Sequence, residues 1–196
     1  MNDRVFKHTS AHKLEDPERL KWMPPAEVLL RLHLKPGLRV ADIGAGTGYF
    51  SLPMAKAVGT DGHIFAVDLQ QEMLDLLATK LQREDAPANI SLHRGPASEL
   101  PLADNSVDVA FYANVWHELD DCGEVLREAI RVTVPNGRIA VLDWRHDKES
   151  PPGPPQDHRV AADTLVDFLQ KHGGQQVSCY NVGQYSYLVT AELARK

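Results

Sequence analysis

Between a short apolar run and a helical one, the segment Val40-Ala41-Asp42-Ile43-Gly44-Ala45-Gly46-Thr47-Gly48-Tyr49-Phe50 carries glycine at three alternate positions. Leu38 to Ile43 reads as a buried strand, and Phe50 to Val58 as a helix ended near Gly59. A strand that turns into a helix through glycines brings bare backbone within reach of a ligand, and the turn itself needs φ/ψ values that a Cβ disfavours. Spacing narrows the choice of ligand. The dinucleotide fingerprint Gly-x-Gly-x-x-Gly would place its third glycine at Tyr49, and the Gly-Lys-Ser/Thr of a phosphate-binding loop is absent. Glycines at 44, 46 and 48 suit a ligand with no pyrophosphate to cradle.

The rest of the chain alternates between two periods. Pro25 to Leu34 is helical in spacing, His63 to Val67 a strand, Gln71 to Leu81 a helix, and Ile90 to Arg94 and Val107 to Ala113 strands. Glu124 to Val132 makes a helix closed by Pro135-Asn136-Gly137, and Arg138 to Trp144 a further strand. Such alternation with short connections implies right-handed crossovers and a doubly wound, Rossmann-like α/β sheet with helices on both faces. Arg145 to His158 holds four prolines, one glycine and five charges, so it is a loop, read either as a solvated linker or as a substrate lid. Val160 to Lys171 resumes helical spacing, and Gln176 to Tyr180 and Tyr185 to Ala191 form a hairpin-like pair of strands. Residues 1–196 are expected to make a single domain.

Composition excludes several classes. The formal net charge is −6 with no run of lysine or arginine, which disfavours nucleic acid as a partner. No stretch approaches the roughly 20 apolar residues that cross a bilayer, and the N-terminus lacks a secretory h-region, so no membrane association and a cytoplasmic location are expected. Cys122 and Cys179 are too few and too far apart for a disulfide framework or a zinc site. His8 and His12 have i,i+4 spacing but no partner to complete a metal site, and none is expected.

Asp68 ends the second strand some twenty residues past the glycines, where a carboxylate can accept from ribose hydroxyls or cap the next helix. With the glycine turn, it makes the chain resemble the class I S-adenosylmethionine-dependent methyltransferases, particularly the small ubiquinone/menaquinone and arsenite methyltransferase-like branch. The resemblance spans roughly Glu18 to Trp144. It implies a seven-stranded, mostly parallel sheet with the last strand antiparallel, and S-adenosylmethionine as cofactor, with S-adenosylhomocysteine as its product. It further implies that Asp42 lies near the methionine amino group and that Gly44, Ala45, Gly46 and Gly48 line the methionine portion. Asp68 would hold the ribose, Leu69 and Met73 would border the adenine, and residues 1–36 would form a helical cap over the cofactor. Relatives often carry an acid after Gly95; here it is Pro96, so adenine is read by backbone at Ala97 or by packing.

Ligands of open α/β sheets bind beyond the carboxyl ends of the strands, so the end of the fourth strand, Tyr112-Ala113-Asn114-Val115-Trp116-His117-Glu118-Leu119, should flank the sulfonium. Ala113 to Trp116 is not the Asn/Asp-Pro-Pro-aromatic tetrad of enzymes that methylate DNA bases or glutamine, and two cysteines are too few for arsenite. His117 is the acid/base candidate, with packing at a helix start as its other reading. Tyr49 is a candidate to shield the methyl, or else a core residue. Asp143 to His146 faces the same rim. The expected reaction is methyl transfer to a small-molecule acceptor. The alternatives are a protein or RNA methyltransferase, or a non-catalytic cofactor-binding module.

Overall fold

A computed structural model describes residues 5–148 and 153–193. Seven strands form one sheet: β1 (Arg39–Ile43), β2 (His63–Asp68), β3 (Ile90–Arg94), β4 (Val107–Ala113), β5 (Thr133–Trp144), β6 (Gly174–Val182) and β7 (Ser186–Leu193). Their order is β3-β2-β1-β4-β5-β7-β6, parallel except for β7, which runs antiparallel between β5 and β6. The chain winds outward from β1 to β3 and then returns to β4 on the other side of β1. The split between β1 and β4 is therefore the place where an open α/β sheet offers a crevice at its carboxyl edge.

Helices α1 (Arg19–Trp22), α2 (Pro25–Leu32), α3 (Ser51–Val58), α4 (Gln71–Leu81), α5 (Cys122–Val132) and α6 (Ala162–Lys171) cover the sheet. Val28 and Leu32 of α2 and Met54 and Val58 of α3 pack with Val40 and Phe111 on one face. On the other, Val125, Leu126 and Ala129 of α5 and Leu165 and Leu169 of α6 meet Ala41, Tyr112 and Val189. Strands buried on both sides explain why β4 is almost continuously apolar rather than alternating.

Some boundaries differ from the sequence expectation. Helix α2 stops at Leu32 because His33 turns left-handed (φ +48°). Helix α5 begins at Cys122, two residues early, because Asp121 caps it by accepting from the N–H groups of Gly123 and Glu124. Pro135-Asn136-Gly137 does not close that helix; β5 already starts at Thr133, and the turn lies within it as a register shift against β4. A Cβ at Gly137 would meet the Asp108 carbonyl at 2.9 Å, which holds the turn to glycine. In the proline-rich loop, residues 149–152 lie outside the described residues. Its described ends fold onto the buried Arg159, which donates to the carbonyls of Arg145, Lys148 and Pro154. Among the described residues no helix is long and apolar enough to cross a membrane.

Candidate cofactor and methyl-transfer site

The glycine turn closes on the neighbouring strand, with the N–H groups of Gly44 and Ala45 donating to the Val67 carbonyl at 2.8 and 3.0 Å. All three glycines have positive φ, +74°, +54° and +84°. Their reasons differ. A Cβ at Gly44 would fall 2.2 Å from Val115 and one at Gly48 2.4 Å from Leu77, so the outer two are required by packing within the protein. At Gly46 the nearest atom to a Cβ is the end of the Leu14 side chain, at 3.3 Å. Packing within the protein by itself calls for glycine at 44 and 48, whereas at 46 only the tip of Leu14 borders the missing Cβ.

Asp68 turns back to this loop. One carboxylate oxygen accepts from the Gly46 N–H at 2.8 Å and the other from Gln70 N–H at 2.9 Å, so a single side chain ties the glycine turn to the start of α4. Each oxygen keeps a further lone pair for a hydroxyl donor. Asp42, at the carboxyl end of β1, is buried and accepts from the Ser51 hydroxyl at the start of α3. Met73 is buried in α4, whereas Leu69 is 51% exposed, and Ala97 packs at the margin of the α5-side core. Asn114 follows β4 with φ +58°; its amide nitrogen lies 3.3 Å from the Met23 sulfur, and its side-chain oxygen is buried with no hydrogen-bond donor among the described residues.

Next to Asn114 stands a buried histidine–carboxylate pair. His117 Nδ1 is 2.7 Å from Asp143 Oδ1, and the His117 N–H donates to Asp143 Oδ2 at 3.0 Å. Asp143 is 0% exposed and its Oδ1 also accepts from the Trp144 N–H at 2.8 Å. A carboxylate in that position fixes the proton on Nδ1 and leaves Nε2, 3.9 Å from Glu118 Oε1, as the acceptor nitrogen. Burial works against charging the ring, but Asp143 and then Glu118 outweigh it and hold His117 above the usual histidine range.

The N-terminal segment crosses over these groups. The Phe6 N–H donates to Glu118 at 3.1 Å, Gln70 donates to the Phe6 carbonyl at 2.7 Å, and the His8 N–H donates back to Gln70 at 2.9 Å. A 3₁₀ segment, His8–Glu15, then brings Leu14 to Gly46 and Glu15 to the Thr47 hydroxyl. Lys80 of α4 binds both Glu15 and the Thr47 carbonyl at 2.7 Å. Tyr49 donates to the Met23 carbonyl at 2.8 Å and lies under the Arg19 guanidinium. Sequence reasoning missed Arg19, Gln70 and Lys80, which nothing in their local spacing marks; it set Glu118 beside the sulfonium but not against the Phe6 N–H. Asp143 is the rim residue that the sequence expects after the fifth strand; its pairing with His117 is what the sequence does not show. His8 meets Gln70 and Glu72 instead of a second histidine, and among the described residues no three His, Cys, Asp or Glu side chains converge for a metal.

The buried acids make stability depend on pH. Burial, opposed by the Ser51 hydrogen bond and helped by Asp68, pushes Asp42 up to about 7. Burial likewise raises Asp68 and takes Glu118 to about 7. A group whose folded pKa lies above its unfolded value binds more protons folded than unfolded, so its contribution is present at low pH and lost as pH rises towards the folded value. His63 and His93, held low by burial, act in the opposite sense below the usual histidine value. The difference between variants is therefore the measure. Between pH 4.5 and 8 the melting temperature of Asp42→Asn should fall less with pH than that of the parent; parallel curves would mean that Asp42 is ionised throughout.

Comparisons with known proteins follow the same lines. The profile of a family described as a methyltransferase domain matches residues 34–181. The chain is 33% identical over 113 residues to the demethylmenaquinone methyltransferase of Lactobacillus johnsonii, covering 58% of this chain and 46% of that protein. It is 34% identical over 124 residues to the corresponding Listeria welshimeri protein, covering 63% and 51%. The chain thus spans about half the length of these curated relatives. The crystal structure of a SAM-dependent methyltransferase from Aquifex aeolicus superposes with a TM-score of 0.90 at 31% identity, covering 97% of this chain and all of that one.

Proposed function

This chain belongs to the class I S-adenosylmethionine-dependent methyltransferases, with S-adenosylmethionine as their cofactor, and on that premise we propose that it methylates a small-molecule acceptor. The observation that carries the reading is the meeting of the glycine turn with Asp68, beside the His117–Asp143 pair at the end of β4. The residues fit the cofactor: Gly46 leaves a bare backbone cradle, Asp68 offers acceptors for ribose, and the orphaned Asn114 oxygen calls for a donor. We assign cofactor contacts to Asp42, Gly44, Ala45, Gly46, Gly48, Asp68, Met73 and Asn114. Leu69 and Ala97 belong to its outer edge. The segment from residue 5 onward acts as the cap.

The bound cofactor supplies a methyl already activated on a sulfonium. The protein's own work is to hold the acceptor in line with it, exclude water and manage one proton. His117 Nε2, with its tautomer set by Asp143, is placed to take that proton from an acceptor hydroxyl or ring position. Tyr49, fixed through Met23, walls the same space. The curated relatives named for demethylmenaquinone make a quinone-type ring the first acceptor to test. The acidic balance and the lack of basic runs favour such a molecule over RNA.

Calorimetric titration tests the cofactor, and release of S-adenosylhomocysteine with a panel of reduced quinones and phenols tests the acceptor. Tighter binding of NAD than of S-adenosylhomocysteine would defeat the assignment. Cofactor binding without turnover on any acceptor would favour a regulatory module. Asp68→Ala should lose about 1.5–3 kcal/mol of S-adenosylhomocysteine affinity, because a charged acceptor is removed. Unchanged affinity in the folded variant would make Asp68 purely a tie between loops.

A further inference from the structure

Away from the cofactor contacts, two histidines on neighbouring strands aim at one hydroxyl. His63 of β2 and His93 of β3 both turn Nε2 to the Ser91 oxygen, at 2.9 and 2.8 Å. The register brings them together. Phe65 pairs with Ser91 and Val67 with His93, so residues 63 and 65 of β2 and 91 and 93 of β3 share one face of the sheet. The Phe65 ring lies 4.7 Å from the His63 ring and 5.7 Å from that of His93, and so packs against both imidazoles. The opposite face of these strands meets α4 through Ala66 and Leu77. On the histidine face the connection from β3 to β4, residues 95–106, forms no helix, and His63, Ser91 and His93 stay only half-buried.

A serine hydroxyl has a single proton to give. It donates to one ring, and the other ring must donate to it, so the metal-free arrangement holds the two imidazoles as opposite tautomers. Among the described residues neither Nδ1 has a hydrogen-bond partner, so the protein does not fix which ring carries which proton. A divalent ion removes the constraint, because both rings can then present an Nε2 lone pair to one centre while each Nδ1–H faces water. No carboxylate or thiol joins the two histidines among the described residues. Imidazole nitrogens beside a hydroxyl suit Zn²⁺, Ni²⁺ or Cu²⁺, whereas Mg²⁺ and Ca²⁺ need oxygen ligands. Bonds of about 2.0–2.1 Å would draw both nitrogens inward, a movement that half-buried rings on an uncovered face can make by rotating.

We propose that His63 and His93 bind one divalent transition-metal ion through their Nε2 atoms, with the Ser91 hydroxyl beside the ion and water completing its shell. The site stands apart from the methyl-transfer residues and does not depend on the acceptor. His93 lies opposite Val67, the residue before Asp68, so a bound ion would clip β3 to β2 one position short of the carboxylate that ties the glycine turn.

Protein stripped with a chelator and titrated calorimetrically at neutral pH with Zn²⁺, Ni²⁺ and Mg²⁺ tests the site. Zn²⁺ and Ni²⁺ should each bind with a stoichiometry of one, and Mg²⁺ should not bind. His63→Gln and His93→Gln should each weaken Zn²⁺ binding by at least the about ten- to hundred-fold that loss of an outer partner causes, and Ser91→Ala by less. Cys179→Ser, which removes an exposed thiol, and a double replacement of His8 and His12 by Gln should match the parent. Zn²⁺ should raise the melting temperature of the parent and leave that of His93→Gln unchanged. No binding of either metal by the parent, full affinity in a single histidine variant, or loss of binding in the Cys179 or His8/His12 variants would overturn the proposal. If a histidine variant does not fold, proton spectra of the parent decide. Substoichiometric paramagnetic Ni²⁺ should broaden the imidazole signals of His63 and His93 first, and earlier broadening of other histidines would refute the site.

Discussion

Valine in place of Gly46 should abolish binding of S-adenosylhomocysteine while leaving the sheet folded. Gly46 sits at φ +54°, a region that a β-branched residue enters only at a cost of about 1–3 kcal/mol. Within the protein, a Cβ there meets only the tip of Leu14, at 3.3 Å, and that side chain can give way. The Gly46 N–H is held by Asp68, so the new side chain would stand in the cradle without freeing the loop. Gly46→Ala should incur the backbone strain alone and retain part of the affinity. Gly44→Ala is the contrast, because its Cβ would strike Val115 at 2.2 Å and damage packing before binding. Circular dichroism and calorimetry together read the result; full cofactor binding by a folded Gly46→Val protein would refute the placement of the turn.

The second large effect is expected at His117. Alanine there should leave S-adenosylhomocysteine affinity nearly intact and reduce turnover by roughly 10²–10⁴, the range for loss of a general base. Asp143→Asn separates a base from a packing residue. It removes the carboxylate that keeps His117 above the usual histidine range, so the acidic limb of kcat/KM should move to lower pH. A carboxamide at that position could satisfy only some of the three N–H donors that Asp143 now accepts from, and a lower melting temperature should accompany the shift. Turnover unchanged in His117→Ala, once an acceptor is in hand, would assign the histidine to packing between β4 and β5.

Much of the fold was legible because it is written in local chemistry. The limits of α4, β3 and β4 follow from periodicity and turn residues, and these elements match the sequence expectation. The seven-stranded, mostly parallel sheet with an antiparallel β7 agrees with what the family resemblance implied. Boundaries moved where a side chain or a left-handed residue intervened, as at Asp121 and His33. The site was legible only in part: Asp42, the glycines and Asp68 share one motif's spacing, so their meeting could be expected from sequence.

What tertiary structure decided is everything that depends on distant strands lying side by side. Asp143 reaches His117 because β4 and β5 pair in parallel, with Ala113 opposite Leu142, so the residues at and just past each strand end face one another. No local pattern marks two residues 26 positions apart as partners. The same holds for Val115 and Leu77, which are why two of the glycines must be glycine. It holds too for Arg19, whose lack of a carboxylate within ion-pair distance among the described residues shows only once the chain is folded. By itself the sequence determined which elements form and what ligand chemistry the turn admits, because periodicity and turn geometry act over a few residues. Only the packed structure decided which side chains are desolvated together: burial raises the proton affinity of Asp42 and Glu118, and the carboxylates brought beside His117 raise its own against burial.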